Sequence, residues 1–281
     1  MSRQATQRLM FAVITVAAIT TVTPIILVVG YIFWQGAPAV SIDFLSTGPR
    51  EGMRAGGIFP AIVGTLLLTL GTGVIAVPLG IAAAIYLSEY AGDNRATRLI
   101  RLAIINLAGI PSVVYGLFGL GLFVLFLRFG TSILAGSLTL AIMTLPVIIS
   151  TAEEAIRAVP QSFRVVSVSL GGTKWQTIRR VVLPQALPGI LTGVILGLER
   201  AAGETAPILF TVAAFFLPRL PHSVFDQTMA LPYHLFVIST QVPGMPIHIQ
   251  YGTALVLLTF VLSMNVIATF VRSYYRRRRQ W

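Results

Sequence analysis

The sequence predicts an all-α membrane protein with six transmembrane helices. Of its 281 residues 56% are hydrophobic and 10% are charged, and the mean hydropathy is +0.85, values far from those of a soluble domain. Six long apolar runs each exceed the roughly 20 residues that a bilayer requires. These runs are Leu9 to Trp34, Ile58 to Leu87, Leu102 to Leu127, Phe129 to Ala152, Leu187 to Leu217 and Tyr251 to Val271.

The first two runs need separate justification. Leu9 to Trp34 follows a short basic start, as in a secretory signal, but its 26 uncharged residues are too many for a signal core, so we expect it to remain as a helix. The run from Ile58 to Leu87 is about 45 Å long as a helix and contains Pro78. We therefore expect a tilted or kinked helix there.

The basic residues follow a simple topology. With the N-terminus in the cytoplasm, fifteen Lys and Arg residues fall on the cytoplasmic side, and only Arg50, Arg54, Arg128 and Arg219 fall outside. This asymmetry matches the positive-inside rule and places both termini in the cytoplasm. The net charge of +11 thus indicates membrane orientation rather than nucleic-acid binding, and Arg276 to Arg279 are expected to contact anionic lipid headgroups.

Three connecting segments are long: Gln35 to Gly57 outside, an inner segment 153–186, and an outer segment 218–250. The predicted organisation is an N-terminal region of residues 1–57, a core 58–271 that contains the inner and outer segments, and a basic tail 272–281. Five prolines make the outer segment a poor continuous helix, so we expect a folded outer cap that meets a binding protein.

The inner segment is predicted to form three short helices. Pro160 ends the first, Gly171 and Gly172 end the second, and Thr173 can cap a third through its hydroxyl. That third helix, 173–183, carries an apolar stripe made of Trp175, Ile178, Val181 and Val182. It is expected to be a short amphipathic helix on the cytoplasmic surface, either lying among lipid headgroups or docking on a partner.

Charged residues occur inside one predicted span. Glu199, Arg200 and Glu204 interrupt the run Leu187 to Leu217, and each charge costs roughly 2.5–3.5 kcal/mol at the middle of a spanning helix. Arg200 and Glu204 are four apart and share a helix face, whereas Glu199 is rotated by about 100 degrees. The pair is either a buried ion pair that fixes helix packing or part of a substrate pathway.

The chemistry of the pair favours a protonated oxyanion. A guanidinium presents a planar fork of donors to phosphate-like oxygens, and a carboxylate can accept the proton of a ligand such as hydrogen phosphate. Gly203 removes a side chain beside the pair, and Pro207 withholds an amide hydrogen from the helix. Thr205 lies between them, and the candidate pathway residues are Glu199, Arg200, Gly203, Glu204 and Thr205.

Other function classes find little support. The one lysine, Lys174, does not belong to a phosphate-binding loop, so the chain is not expected to hydrolyse ATP. His222, His234 and His248 have no metal-site spacing, and we expect no cofactor. A membrane-embedded enzyme would need a nucleophile or histidine near Glu199 or Glu204, and a proton-coupled carrier would need an internal repeat. Neither pattern is found.

The inner segment resembles the cytoplasmic loop of permeases of binding-protein-dependent ABC importers. Gly171, nine residues, Val181, one residue and then Leu183-Pro184 match the order of landmarks in that family's signature. The resemblance implies a coupling helix that docks on an ATPase subunit, with these residues involved: Gly171, Gly172, Thr173, Lys174, Trp175, Ile178, Val181, Leu183 and Pro184. Where the family has Glu-Ala-Ala, this chain has Val165-Val166-Ser167, so bracing is expected from Arg164 or from Glu153 and Glu154.

The stretch from Arg200 to Thr211, RAAGETAPILFT, is similar to the A-type permease subunit of phosphate-specific ABC importers, and the resemblance extends over about Gly57 to Arg272. It implies a type I importer permease (MetI-like) core of five helices plus one N-terminal helix. Arg200 and Glu204 match positions implicated in phosphate translocation, while no role carries over to Glu199. The implied partners are a C-type permease in a heterodimer, two ATP-binding subunits, an external phosphate-binding protein and membrane lipid. An importer of another oxyanion is the alternative.

Overall fold

The computed structural model describes residues 3–277, and their architecture is almost entirely helical. The predicted basic tail 272–281 therefore lies partly outside the described residues, including Arg278 and Arg279. The helices are α1 (Arg3–Gly36), α2 (Ile42–Ser46), α3 (Phe59–Ile85), α4 (Arg95–Ala108), α5 (Ser112–Gly119), α6 (Ile133–Arg157), α7 (Gln161–Ser169), α8 (Lys174–Thr177), α9 (Leu183–Gly203), α10 (Ala206–Thr211), α11 (Leu231–Thr240) and α12 (Ile247–Arg277). Strands β1 (Pro49–Arg50) and β2 (Ala55–Gly56) form a small antiparallel hairpin.

Short 3-10 and π-helical turns extend several of these helices. The π-helical turns Tyr86–Tyr90 and Leu120–Phe126 follow α3 and α5, and the turn Ile178–Val182 joins α8 to α9. The 3-10 turns are Ala37–Ala39, directly after α1, and Glu51–Met53 within the hairpin. Four helical rods, Gln7–Ala39, Phe59–Tyr90, Ser112–Phe126 and Lys174–Gly203, therefore extend beyond the α-helical segments that they contain.

Five of the described helical rods are long and apolar enough to cross a membrane, and a bent pair supplies a sixth. The five are Gln7–Ala39, Phe59–Tyr90, Ile133–Arg157, Lys174–Gly203 and Ile247–Phe270. The sixth is Arg95–Ala108 with Ser112–Phe126, which meet at 102°. The predicted total of six spans is confirmed when the bent pair is taken as one span.

The third predicted span is not straight. A single helix from Leu102 to Leu127 is wrong, because α4 ends at Ala108 and α5 starts at Ser112. Pro111 lacks an amide hydrogen, and its ring disfavours helical geometry at Ile110, so the helix stops there. Asn94 starts α4 by accepting a hydrogen bond from the Thr97 amide at 2.9 Å.

Helix α6 is the centre of the bundle, packed between α3 and α9. Three glycines at four-residue spacing on α9, Gly189, Gly193 and Gly197, face α6. A Cβ atom at Gly193 would lie 2.7 Å from the Cβ of Thr151, so only glycine permits this approach. Small residues at helix interfaces are the usual means of close packing in membranes.

The outer segment is more than a surface cap. As expected it is not one helix, but its helix α11 is buried in the core, where Leu231, Val237 and Ile238 are inaccessible. Carbonyl oxygens of the loop before α11 accept hydrogen bonds from the amides of Ile133 and Leu134 at the start of α6. The outer segment therefore closes one end of the bundle.

The inner segment differs from the prediction at its third helix. Thr173 caps α8 in a reciprocal capping box with Gln176, as expected. However, α8 continues without a break through Ile178–Val182 into α9, so the predicted short helix 173–183 is the beginning of a 30-residue rod. Its apolar stripe is split, because Ile178 is buried in the protein while Trp175 is 53% exposed.

Candidate functional site

The candidate pathway residues lie where the membrane helix α9 breaks. The helix ends at Gly203, Glu204 is extended with ψ 137°, and α10 starts at Ala206. The predicted continuous span Leu187 to Leu217 is therefore wrong. Pro207 in the first turn of α10 donates no amide hydrogen, and its ring would clash with the Gly203 carbonyl in a continuous helix.

This break lies deep in the bundle. Gly197 packs against Ile148 and Thr144, which occupy the middle of α6, and Arg200 is about one turn further along α9. Arg200 therefore lies about 5 Å along the helix axis from the level at which α9 passes the middle of α6, itself a candidate span. Irregular backbone at this depth is tolerated where it is buried in protein or lines a water-filled cavity.

Arg200 and Glu204 form a loose ion pair at the break. The Arg200 Nε atom lies 3.5 Å from Glu204 Oε1, and the side chains are 36% and 17% exposed. This distance is too long for a strong charge-assisted hydrogen bond. Among the described residues Arg200 makes no further ion pair or hydrogen bond, so most of its five donors stay available.

Of the other candidate pathway residues, Gly203 and Thr205 lie at the break beside the ion pair, whereas Glu199 does not take part in it. Gly203 is exposed, and a Cβ atom built on it would meet nothing within 4 Å, so open space lies beside the ion pair. Thr205 follows in the break and does not cap α10 with its side chain. Glu199 is turned away from the pair, and its Oε1 atom is buried without a hydrogen-bond partner among the described residues.

Sequence reasoning missed Tyr115 on α5. Its hydroxyl donates a 2.7 Å hydrogen bond to the Leu107 carbonyl, and it lies close enough to Arg200 for electrostatic interaction. Helix α5 reaches this place because a Cβ at Gly116 would lie 3.0 Å from Pro207 Cα. No local motif marks Tyr115, since only the packing of α5 on α10 brings it near.

At the other end of the bundle, the inner segment presents an apolar surface on α7. Val165, Val166 and Val168 are exposed, and Leu170 and Trp175 extend the same surface. A groove of about 530 Å³ runs between α7 and the start of the α8–α9 rod, and its lining includes Phe163, Gly172, Gln176, Arg180 and Val181. We call this surface, Val165 to Trp175, the coupling surface.

Two glycines shape the turn inside the coupling surface. Gly171 has φ +83°, a conformation that residues with a side chain rarely adopt. A Cβ atom on Gly172 would lie 2.8 Å from the Ser167 carbonyl oxygen. Thr173 then caps α8, and Leu183 and Pro184 open α9 ten residues later. The structure thus brings most of the predicted coupling residues onto one turn and one helix.

Arg164 supplies the bracing that was expected from it or from nearby acids. Its Nη2 atom donates to Glu89 Oε1 at 2.6 Å and to the Ile156 carbonyl, and its Nη1 atom donates to the Val159 carbonyl. Glu153 acts separately, accepting from Arg101 at 2.9 Å and pairing with Arg157 at 2.9 Å. Arg164 therefore joins α7 to the ends of α3 and α6.

Two titratable groups of the outer segment have shifted pKa values. Backbone amides of His222 and Ser223 donate to Asp226 and lower the pKa of its carboxyl. Burial lowers the pKa of His234 to about 4, and its Nδ1 atom has no hydrogen-bond partner among the described residues. His234 is buried in α11, whereas His222 and His248 are exposed.

Comparison with known proteins gives a consistent family. The family model of the binding-protein-dependent transport system inner membrane component matches residues 76–281. The chain is 32% identical over 285 residues to the probable ABC transporter permease protein YqgI of Bacillus subtilis, covering 96% of each chain. It is 38% identical over 227 residues to the phosphate transport system permease protein PstA 1 of Mycobacterium tuberculosis, covering 80% of this chain and 73% of that protein.

Solved structures show the same fold at low identity. A chain of a bacterial ABC transporter involved in import of the acidic polysaccharide alginate matches with a TM-score of 0.66 at 14% identity, covering 99% of this chain and 97% of that one. A chain of the MetNI methionine ABC transporter in an inward-facing conformation matches with a TM-score of 0.61 at 16% identity, covering 76% and 94%. The fold is that of an ABC importer permease. The chain belongs to the family of binding-protein-dependent transport system inner membrane components.

Proposed function

We propose that the chain is a membrane-spanning subunit of an ATP-driven importer that moves inorganic phosphate into the cytoplasm. The observation that carries this proposal is the loose Arg200–Glu204 pair at a helix break within the membrane, beside the open space at Gly203. Phosphate transport permeases among the relatives, including one from Xylella fastidiosa at 33% identity over 83% of this chain, support the same substrate.

Hydrogen phosphate complements both members of the pair. Its oxygens accept from the Arg200 guanidinium, and its hydroxyl donates to the Glu204 carboxylate. The substrate replaces one 3.5 Å contact, so little interaction energy is lost when the pair opens. A fully ionised oxyanion gains the first contact and meets repulsion from Glu204. Tyr115 and Thr205 supply further polar groups around this position.

The coupling surface is the proposed docking site for the subunit that hydrolyses ATP. Val166 and Leu170 line one groove, and the nearby Val165, Val168 and Trp175 are also exposed, as apolar side chains at protein interfaces are. An ATP-binding subunit docks here, so that its movement passes through α7 and through the continuous rod Lys174–Gly203 to Arg200. The ATPase resides on two separate chains, since this sequence has no phosphate-binding loop.

The remaining partners follow from the same assignment. A C-type permease completes the pathway as a heterodimer, and an extracytoplasmic phosphate-binding protein meets the outer segment, where Leu220, Val224 and Phe225 are exposed. Both termini face the cytoplasm. The division into 1–57, a core 58–271 and a tail 272–281 belongs to this proposal, with the first region ahead of the five-helix core.

Uptake of radiolabelled phosphate by the reconstituted complex tests the function. We expect ATP-dependent accumulation that excess unlabelled phosphate abolishes and that equal sulfate leaves unchanged, because sulfate has no proton for Glu204. Phosphonate serves as a second competitor that retains an ionisable hydroxyl. Equal competition by sulfate would instead indicate the importer of another oxyanion, and accumulation without ATP would contradict the assignment to an ATP-driven importer.

A further inference from the structure

A polar cavity separate from the Arg200 site lies between the ends of α3 and α6, the start of α7 and the start of α8. Its volume is about 620 Å³. Its walls carry three basic side chains, Arg157, Arg164 and Lys174, and one acidic side chain, Glu89. The cavity is on the side of the membrane that the proposed topology assigns to the cytoplasm.

The positive charge in this cavity is not fully matched. Arg164 is committed to Glu89, and Arg157 shares Glu153 with Arg101. Lys174 lies with its Nζ atom 4.7 Å from the centre of the Tyr90 ring, and it makes no ion pair within the described residues. Three cations thus line the cavity with one carboxylate, and Glu153, the partner of Arg157, lies outside the lining and is shared with Arg101. Arg157 is 51% exposed and can reach a ligand while it keeps Glu153.

Backbone donors point to the same ligand class. The nine-residue helix α7 begins at Gln161 after Pro160, both of which line the cavity, and no side chain caps this end. First-turn amides of a helix lack partners within the helix, and the helix dipole favours an anion there. The Phe163 amide donates to the Pro160 carbonyl, whereas the amides of Gln161 and Ser162 have no partner within the described residues. The cavity therefore combines basic side chains with two backbone donors at the start of α7.

We propose that this cavity is an anion site that takes a phosphate group, either as free phosphate or as the headgroup of a phospholipid in the adjoining leaflet. A phosphate oxygen can accept from Arg157, from Lys174 and from the first turn of α7 at once. Such a ligand bridges α6, α7 and α8. Because α7 carries the coupling surface, occupancy of this site fixes the surface on which the proposed ATPase docks.

Lys174 provides a direct reporter, since it is the one lysine in the chain. The purified complex in detergent is acylated with an amine-reactive reagent, and the Lys174 peptide is quantified by mass spectrometry with phosphate or with chloride at equal ionic strength. The same measurement follows in nanodiscs of zwitterionic or anionic phospholipid. Phosphate at ten times its dissociation constant is expected to slow acylation about tenfold.

Two variants at Arg157 and one control distinguish phosphate bound in the cavity from a nonspecific effect of phosphate on Lys174 acylation. Arg157→Gln is expected to lose the protection, and Arg157→Lys to retain most of it. Arg179→Gln removes an exposed charge from the same rod as Lys174 but outside the cavity, and it is expected to keep the protection.

The outcomes distinguish the two sources. Protection by phosphate in detergent supports the free anion, and protection by anionic lipid alone supports the headgroup. Equal acylation under all conditions, protection that survives Arg157→Gln, or protection that depends on an ATP-binding subunit irrespective of phosphate would overturn the proposal. The site relies on the proposed topology for its cytoplasmic placement, yet the assay measures occupancy rather than uptake. A complex that protects Lys174 without importing phosphate would contradict the proposed function and retain the site.

Discussion

Two arginine–glutamate pairs in this molecule differ in how completely the arginine is used. Arg164 contacts Glu89 at 2.6 Å and donates to two carbonyls, and the two side chains are 15% and 10% exposed. Arg200 contacts Glu204 at 3.5 Å in a single ion pair, with 36% and 17% exposed. The first arginine is saturated by the protein, whereas the second keeps donors for another ligand.

The difference indicates that Arg164 has a structural role, whereas Arg200 can exchange its carboxylate partner for a ligand. A guanidinium whose N–H groups all donate to fixed acceptors holds two elements together and has no donor left for an anionic ligand. A guanidinium with free donors beside open space can exchange its carboxylate for a substrate at little cost. The comparison predicts that substitutions at Arg164 damage stability and that substitutions at Arg200 and Glu204 damage transport.

The largest effect on stability is expected for Arg164→Ala. Removing one member of a buried pair leaves Glu89 uncompensated, which costs about 3–5 kcal/mol in free energy of unfolding. Thermal unfolding of the purified complex and the amount of protein in the membrane measure this loss. The double variant Arg164→Ala, Glu89→Ala should recover some of it. Wild-type stability of Arg164→Ala would show that the pair is not a brace.

A smaller effect, on transport rather than stability, is expected for Glu204→Gln. The amide keeps the shape but loses the charge that accepts the phosphate proton, and a hydrogen bond to a charged group contributes about 1.5–3 kcal/mol. Phosphate uptake should fall about 10-fold to 100-fold at this energy, with the complex assembled. Glu199→Gln is the matched control, and it should retain uptake. Equal loss in both variants would remove the distinction between the two glutamates.

His234 adds a buried group whose Nδ1 atom has no partner among the described residues. Its folded pKa of about 4 lies below the ordinary value of 6.5, so the unfolded chain binds more protons at mildly acidic pH. Stability is complete above about pH 6.5 and declines as the pH falls toward 4. We expect a loss of about 1 kcal/mol by about pH 5.5, measured as a lowered unfolding temperature. His234→Leu should flatten this dependence, and an unchanged slope would contradict it.

The smallest effect is expected for Gly171→Ala in the turn of the coupling surface. A left-handed conformation costs a residue with a Cβ atom about 1 kcal/mol. The unfolding temperature should drop slightly and reproducibly. Gly92→Ala is the control, because its φ is not positive and its Cβ would have one neighbour, at 4.0 Å. Equal shifts in the two variants would show that the turn conformation carries no cost.

Sequence patterns predicted the features that depend on local chemistry. Membrane helices follow from apolar length, the cap at Thr173 follows from its hydroxyl, and bracing by Arg164 was one of two stated options. The breaks were missed because hydropathy does not register them. Pro111 and Pro207 lie in apolar runs that look continuous, yet each proline stops its helix. Prolines inside the other spans, such as Pro78 and Pro146, leave the helix intact.

In the coupling surface and in the candidate pathway, some side-chain positions depend on how the helices pack and could not be predicted from the sequence. The apolar stripe of the segment 173–183 was predicted to face one way, but the packed core takes Ile178 and leaves Trp175 outside. Similarly, Tyr115 approaches Arg200 because α5 packs on α10, and no spacing in the sequence connects them. Four-residue spacing predicted that Arg200 and Glu204 share a helix face and can pair, and they are in contact even though the helix ends between them.

Phosphate uptake by Arg200→Ala in the assembled complex tests the central claim most directly. The variant is reconstituted beside wild-type protein and Arg200→Lys, and assembly is confirmed by co-purification of all subunits. The account predicts loss of uptake in Arg200→Ala with the unfolding temperature unchanged, and partial uptake in Arg200→Lys, which keeps the charge without the planar fork. Normal phosphate uptake by assembled Arg200→Ala would contradict the account.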